Sequence, residues 1–191
     1  MMSQNSTHRE FNALIQPHLR SLENTAFRLT RDQLEAEDLI QDTYYKSYKA
    51  FGQYQRDTNF RAWIFKIMVN TYITAYRKSV RRPQKVSYDD LEDYHLYHNE
   101  AFEPTKVNVM QPGFSDDHFE DEVKTALEKL PYYFRLVVLL CDIEGFSYQE
   151  ISRMLNVPVG TVMSRLHRGR SLLRNRLSRY ARRKGYEISQ N

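Results

Sequence analysis

At 191 residues, 41% of them hydrophobic and 27% charged, the chain can form two small helical domains but is too short for a large barrel enzyme. A lone cysteine, Cys141, excludes an internal disulfide framework, a zinc ribbon and a CxxC redox pair, which fits a reducing cytoplasm. The longest apolar run, 136–141, falls far short of the roughly 20 residues of a membrane span, and the polar start MMSQNSTHRE has no secretory apolar stretch. A soluble, cytoplasmic protein without membrane insertion is expected.

The net charge of +4 hides a partition. Residues 1–83 carry 13 Lys/Arg against 8 Asp/Glu, residues 84–130 carry 4 against 12, and residues 131–191 carry 11 against 4. Two basic blocks flank an acidic middle, the pattern of two surfaces for a polyanion joined by a segment that the same polyanion repels. Within the middle, 84–115 mixes Pro104 and Pro112 with Asp, Glu, Asn, His and Tyr and shows no sustained period, so it reads as a linker. As a random coil it spans ~30 Å, which lets the two blocks sit far apart. Residues 1–9 and 185–191 read as a disordered start and a tail.

In the first block, 10–83, Phe11, Leu14, Ile15, Leu19, Leu22, Ala26 and Leu29 recur at helical spacing, with Pro17 marking a first turn or a kink. Leu39, Ile40, Tyr44, Tyr48 and Phe51 form a second apolar stripe. Glu35, Glu37 and Asp38 lie at that helix's positive end, and Gly52 stops it. From Asn59 the stretch FRAWIFKIMVNTYITAYRKSVRRP is helical in length but apolar around most of its circumference. One face must be buried, and the other is expected to be exposed and aromatic. Trp63, Tyr72 and Tyr76 are interleaved there with Arg61, Lys66, Arg77 and Lys78, a mixture that stacks and neutralises unpaired bases. The same aromatics can instead be core residues with wet hydroxyls.

The second block, 116–184, opens with an amphipathic helix over 116–130, which carries Phe119, Val123, Ala126, Leu127 and Leu130 and is stopped by Pro131; another helix follows from Tyr132 to Gly145. Ser147 and Glu150 form a capping box, with Phe146 and Ile151 placed as its hydrophobic staple. That helix ends near Leu155, because Asn156 tolerates a left-handed turn and Pro158 blocks continuation. Gly160 and Thr161 open a long final helix. At 100° per residue, Val162, Leu166, Gly169, Leu173, Leu177 and Tyr180 form its buried stripe, while Ser164, His167, Arg168 and Ser171 face outward with Arg165 at the shoulder. A short helix, a tight turn and a second helix presenting Ser and Arg is the geometry that enters a major groove. From Ile151 to Tyr186 there is no acidic residue against ten Lys/Arg.

The segments AEDLIQDTYYKSYKAF, NFRAWIFKIMVNTYITAYRK and EGFSYQEISRMLNVPVGTVMSRLHRGRSLLRNRL together resemble the extracytoplasmic-function sigma factors of the sigma-70 family, promoter-specificity subunits of bacterial RNA polymerase. The resemblance implies an all-α, two-domain protein that is not an enzyme and needs no cofactor or metal. It implies that Asp38, Gln41 and Asp42 dock on the clamp of the core polymerase. Arg61, Trp63, Lys66, Asn70, Tyr72, Tyr76, Arg77 and Lys78 would then open and hold the minus-10 element, with the 52–59 loop pocketing a flipped base. Thr161, Ser164, Arg165, His167 and Arg168 would read the minus-35 element. Met163 and Thr74 depart from the residues common in the family, Lys or Arg and Asp or Asn, so no promoter sequence carries over.

VPVGTVMSRLHRGR and NTYITAYRK are closest to the subgroup that answers thiol oxidation. That subgroup implies a stress response and a small zinc-binding anti-sigma partner. His95 and His98 lack a thiolate or fixed carboxylate and read as solvated linker. A stand-alone helix-turn-helix repressor would not need the aromatic stretch between Trp63 and Lys78. An enzyme acting on nucleic acid would need an acid, metal or nucleophile constellation, and the sequence has no HExxH, Walker loop or GxSxG.

Overall fold

The structure, a computed structural model, describes residues 4–56, 58–80 and 121–186. Every regular element among them is helical: α1 Gln4–Ile15, α2 Leu19–Thr30, α3 Gln33–Ala50 and α4 Phe60–Val80, then α5 Asp121–Glu128, α6 Tyr132–Val138, α7 Tyr148–Leu155 and α8 Val159–Arg183. The expected linker over 84–115, the helix start at Asp116 and residues 187–191 of the tail lie outside the described residues.

Helix α1 begins at Gln4, so residues 4–9 are helical rather than disordered. His8, one turn into the helix, meets the Tyr48 ring edge-on, giving the segment an anchor that its polarity did not announce. Pro17 sits in a 3₁₀ turn, Gln16–His18, that separates α1 from α2, consistent with its missing amide hydrogen. Phe11 is the hub of the N-terminal core, edge-on to Tyr44, Tyr48, Phe51 and Phe60. Around it Leu22, Ala26, Leu29, Ala36, Leu39, Ile64, Phe65, Met68 and Val69 are buried, each large side chain contributing about 1.5–3 kcal/mol.

Local chemistry sets the turns. Arg31 takes a left-handed conformation, φ 65°, and its N–H donates to Phe27 O at 2.8 Å, closing α2. Asp32 then caps α3 by accepting from the Glu35 amide at 2.9 Å.

In the C-terminal domain α6 runs into a π-helical turn, Leu139–Ile143, and the positive φ of Gly145 turns the chain toward α7. The capping box forms as expected: Ser147 Oγ accepts from the Glu150 amide while the Glu150 carboxylate accepts from the Ser147 amide. Asn156 is left-handed, φ 53°, and Pro158 leads into α8. Val162, Leu166 and Gly169 form the buried stripe of α8.

The two domains touch, although the linker's reach allowed separation. Helix α7 packs on α4, Phe146 meets Phe65 at 5.0 Å between ring centroids, and Tyr132 stacks on Tyr76 at 4.0 Å with the planes nearly parallel.

Candidate nucleic-acid interface

Helix α4 is apolar around its circumference because it is covered on two sides, by α2 and α3 of its own domain and by α7 of the other. Its eight candidate residues accordingly divide between two faces. At 100° per residue Trp63, Lys66, Asn70, Thr74, Arg77 and Lys78 fall within about 120° of one another. Lys66, Asn70, Thr74, Arg77 and Lys78 are exposed and Trp63 is half-buried. This side offers three cations, an amide and a hydroxyl along one edge, with an indole at its N-terminal end.

Arg61, Tyr72 and Tyr76 lie on the opposite side, which corrects the expectation of a single exposed aromatic face. Tyr72 is buried, and its hydroxyl donates to Leu29 O at 2.6 Å. Burial pushes its phenol, and that of Tyr76, upward. Arg61 pairs with Glu144 at 2.6 Å. For Tyr72 the alternative reading, a core aromatic with a satisfied hydroxyl, is the observed one.

Trp63 belongs to an aromatic platform that sequence order hid. Its ring lies 5.1 Å from Tyr54 and 5.4 Å from Phe60, with Phe51 behind at 6.5 Å. Tyr54 stands in the 52–59 loop and is held by donation from its hydroxyl to Thr58 O at 2.6 Å. Asn59 Oδ1 accepts from the Ala62 amide at the start of α4. The loop and the helix thus present a tyrosine and a tryptophan side by side next to the cation row.

On α8, Ser164, His167 and Arg168 are exposed near the N-terminal end, with Met163 flanking them at 52% exposure. Thr161 is half-buried, and its carbonyl accepts from Ser164 Oγ at 3.1 Å. Arg165 is half-buried with its guanidinium 4.5 Å above the Tyr133 ring, so a ring steers it as it reaches the surface. Further along, Arg170 is tied to Asp142, an acid from α6's continuation, and that bond holds its guanidinium firmly protonated.

The outer face of α3 carries Asp38, Gln41 and Asp42, all exposed, with Asp42 paired to Lys46 at 3.2 Å. Two residues that hydrophobicity alone would place in the core share this face at helical spacing: Leu34 is 71% exposed and Tyr45 57%. These two large apolar side chains stand beside the acids on one open helix face. No group of three or more His, Cys, Asp or Glu able to hold a metal occurs among the described residues; His95 and His98 lie outside them. No helix among the described residues is long and apolar enough to cross a membrane.

The chain matches the family model "Sigma-70 region 2" over residues 14–82 and "Sigma-70, region 4" over 120–173. It is 36% identical over 169 residues to the ECF RNA polymerase sigma factor SigE of Mycolicibacterium smegmatis, covering 88% of this chain and 62% of that relative's length. It is 29% identical to the RNA polymerase sigma-H factor of Pseudomonas aeruginosa, over 86% of this chain and 84% of that one. Among solved structures, the sigma factor RpoE of Bartonella quintana, crystallised with the anti-sigma factor NepR, superposes with a TM-score of 0.62 at 26% identity, covering 90% of this chain and 96% of that one. CnrH bound to the cytosolic domain of CnrY shares the fold, with a TM-score of 0.58 at 23% identity over 90% and 89% of the two chains. Two region models in order on two helical domains, with relatives that span both, make this chain a member of the sigma-70 family, in its extracytoplasmic-function branch.

Proposed function

We propose that this chain directs transcription initiation as a sigma subunit, without catalysing a reaction, by using its two domains on two forms of DNA. The observation that carries the proposal is the exposed edge of α4, where Trp63 and the Tyr54 platform stand beside Lys66, Asn70, Arg77 and Lys78. Rings and cations together suit an unpaired strand, each stacked base contributing about 1–3 kcal/mol. The exposed Ser164, His167 and Arg168 of α8 suit a paired one, since arginine can bond guanine bidentately and serine can take either base edge. Helix α3, with Leu34, Asp38, Gln41, Asp42 and Tyr45, is the surface assigned to the core polymerase clamp.

An anti-sigma protein is the regulator proposed for this chain, supported by the similar sigma factor RpoE of Bartonella quintana, whose structure holds the anti-sigma factor NepR. The motifs NTYITAYRK and VPVGTVMSRLHRGR support placement in the thiol-oxidation subgroup and hence a zinc-binding inhibitor. Burial first, and then the neighbouring Asp142, push the Cys141 thiol upward, which disfavours the reactive thiolate.

Run-off transcription with core polymerase over genomic DNA tests the reading. Discrete transcripts dependent on this chain are expected, and their absence in the presence of active core overturns it. Zinc released when a co-purified inhibitor is oxidised tests the subgroup.

A further inference from the structure

Two large apolar side chains stand exposed on the first turns of α8: Val159 at 36% and Met163 at 52%. They are four residues apart and so share one edge of the helix. Toward Ser164 that edge is open, because Gly160 has nothing within 4 Å of the place a Cβ would take. Neither Val159 nor Met163 packs against the apolar core of the described residues, which α8 meets through Val162 and Leu166. Folding therefore does not account for a methionine at this position.

The surroundings are polar and basic. Ser164 and His167 beside Met163 are exposed, Arg168 follows, and no acidic residue occurs from Ile151 to Tyr186, a charge balance that suits a polyanion. What Met163 can recognise on such a ligand is narrow. A thioether does not neutralise a phosphate, and its sulfur is only a weak acceptor toward a base edge. The major groove offers it one apolar partner, the C5-methyl of thymine. An unbranched, polarisable side chain can adapt its shape to that group. The cation that shares this edge further along α8, Arg170, is already engaged: Asp142 accepts from its Nε at 3.1 Å and also from its Nη2. Its charge is thus met within the domain, and the edge that Val159 and Met163 present stays apolar.

We propose that Met163 is a specificity-determining residue that selects a thymine in the minus-35 element by packing on its C5-methyl, with Val159 flanking the same contact. The inference rests on the reading of α8 given under Proposed function and adds the base that this helix selects. One methyl group taken out of water is enough to change affinity about fourfold.

The test uses holoenzyme formed from the full-length chain and core polymerase, with the promoter recovered by run-off transcription. Each thymine of the minus-35 element, on either strand, is replaced in turn by deoxyuridine, which removes the methyl and leaves every hydrogen-bonding group in place. Wild type is expected to lose about fourfold in affinity at one thymine. Met163→Ala is expected to bind the unmodified promoter about fourfold more weakly and to lose nothing further from deoxyuridine at that thymine. Met163→Arg is expected to lose the methyl effect and to prefer guanine there, since arginine bonds its O6 and N7. Unchanged melting temperature and core binding show that both variants keep the fold and the docking surface.

A minus-35 element without an A·T pair overturns the proposal, as does a wild type indifferent to every methyl group or a methyl effect that persists in full in Met163→Ala. Equal promoter affinity of Met163→Ala and wild type also overturns it and leaves the apolar edge to a protein partner. If run-off yields no promoter, the sigma reading fails and takes the thymine contact with it. That failure is distinguishable, because wild-type holoenzyme then forms no sequence-selective complex at all.

Discussion

The backbone of Gly169 on α8 passes so close to Val138 on α6 that a Cβ built on it would lie 2.9 Å from Val138 Cγ2 and 3.3 Å from Phe134 Cβ. The two helices of the C-terminal domain pack through this missing side chain. Gly169→Ala is expected to destabilise the domain by about 1–3 kcal/mol through overpacking, even though alanine is the better helix former. A fall in melting temperature checks this, and an unchanged or raised value would show that the helices can separate without cost.

Trp63→Ala removes the indole from the platform with Tyr54 and Phe60. Strand opening at the minus-10 element is expected to weaken by about 1–3 kcal/mol, with core binding unchanged. Permanganate reactivity of thymines in the melted region is the measurement, and wild-type reactivity would remove this ring from the strand-holding surface.

For Arg168→Ala, a loss of about 1–3 kcal/mol in recognition of the minus-35 duplex is expected. Quantitative band shifts with holoenzyme check it. Equal affinity of variant and wild type would leave the reading to Ser164, His167 and Arg165.

The α3 surface is tested in two layers. Asp38→Ala with Gln41→Ala is expected to weaken core association, and adding Leu34→Ala is expected to weaken it further, because an apolar group that is 71% exposed in the free chain gains burial on docking. Pull-down with core polymerase reads both. If neither set changes the yield, the clamp contacts another face.

The capping box yields a pH-dependent expectation. The Ser147 amide bonds the Glu150 carboxylate and holds it below the ordinary 4.5. A carboxyl depressed in the folded state stabilises above its unfolded value and loses that contribution as pH falls through the folded one. Glu150→Ala is expected to lower the melting temperature at pH 7, and the gap to wild type is expected to close as pH drops below about 4. Ser147→Ala at pH 7 should cost about 1 kcal/mol.

Features set by neighbours in the chain were legible from residue order. The capping box at Ser147 and Glu150, the left-handed Asn156, the stop at Pro158 and the outward Ser164, His167 and Arg168 each depend on a few consecutive dihedrals and side chains. Their physics is complete within one or two turns. The Asp32 cap is equally local in signal, an aspartate three residues before Glu35, but it stands among acids that the helix dipole alone would account for.

Helix α4 was different. Its apolar residues run around the whole circumference, so no periodicity could say which candidates would meet solvent. That was decided by the packing of other segments against it: Tyr132 of α6 covers Tyr72 and Tyr76 and Glu144 ties Arg61, which takes all three out of the row formed by Lys66, Asn70, Arg77 and Lys78. The exposure of Leu34 and Tyr45 likewise depends on how α3 rotates against α2 and α4. Order along the chain determined two helical domains and the basic, polar residues that α4 and α8 offer; three-dimensional packing alone decided which side of each is free, because burial is a relation between distant segments and has no local signature.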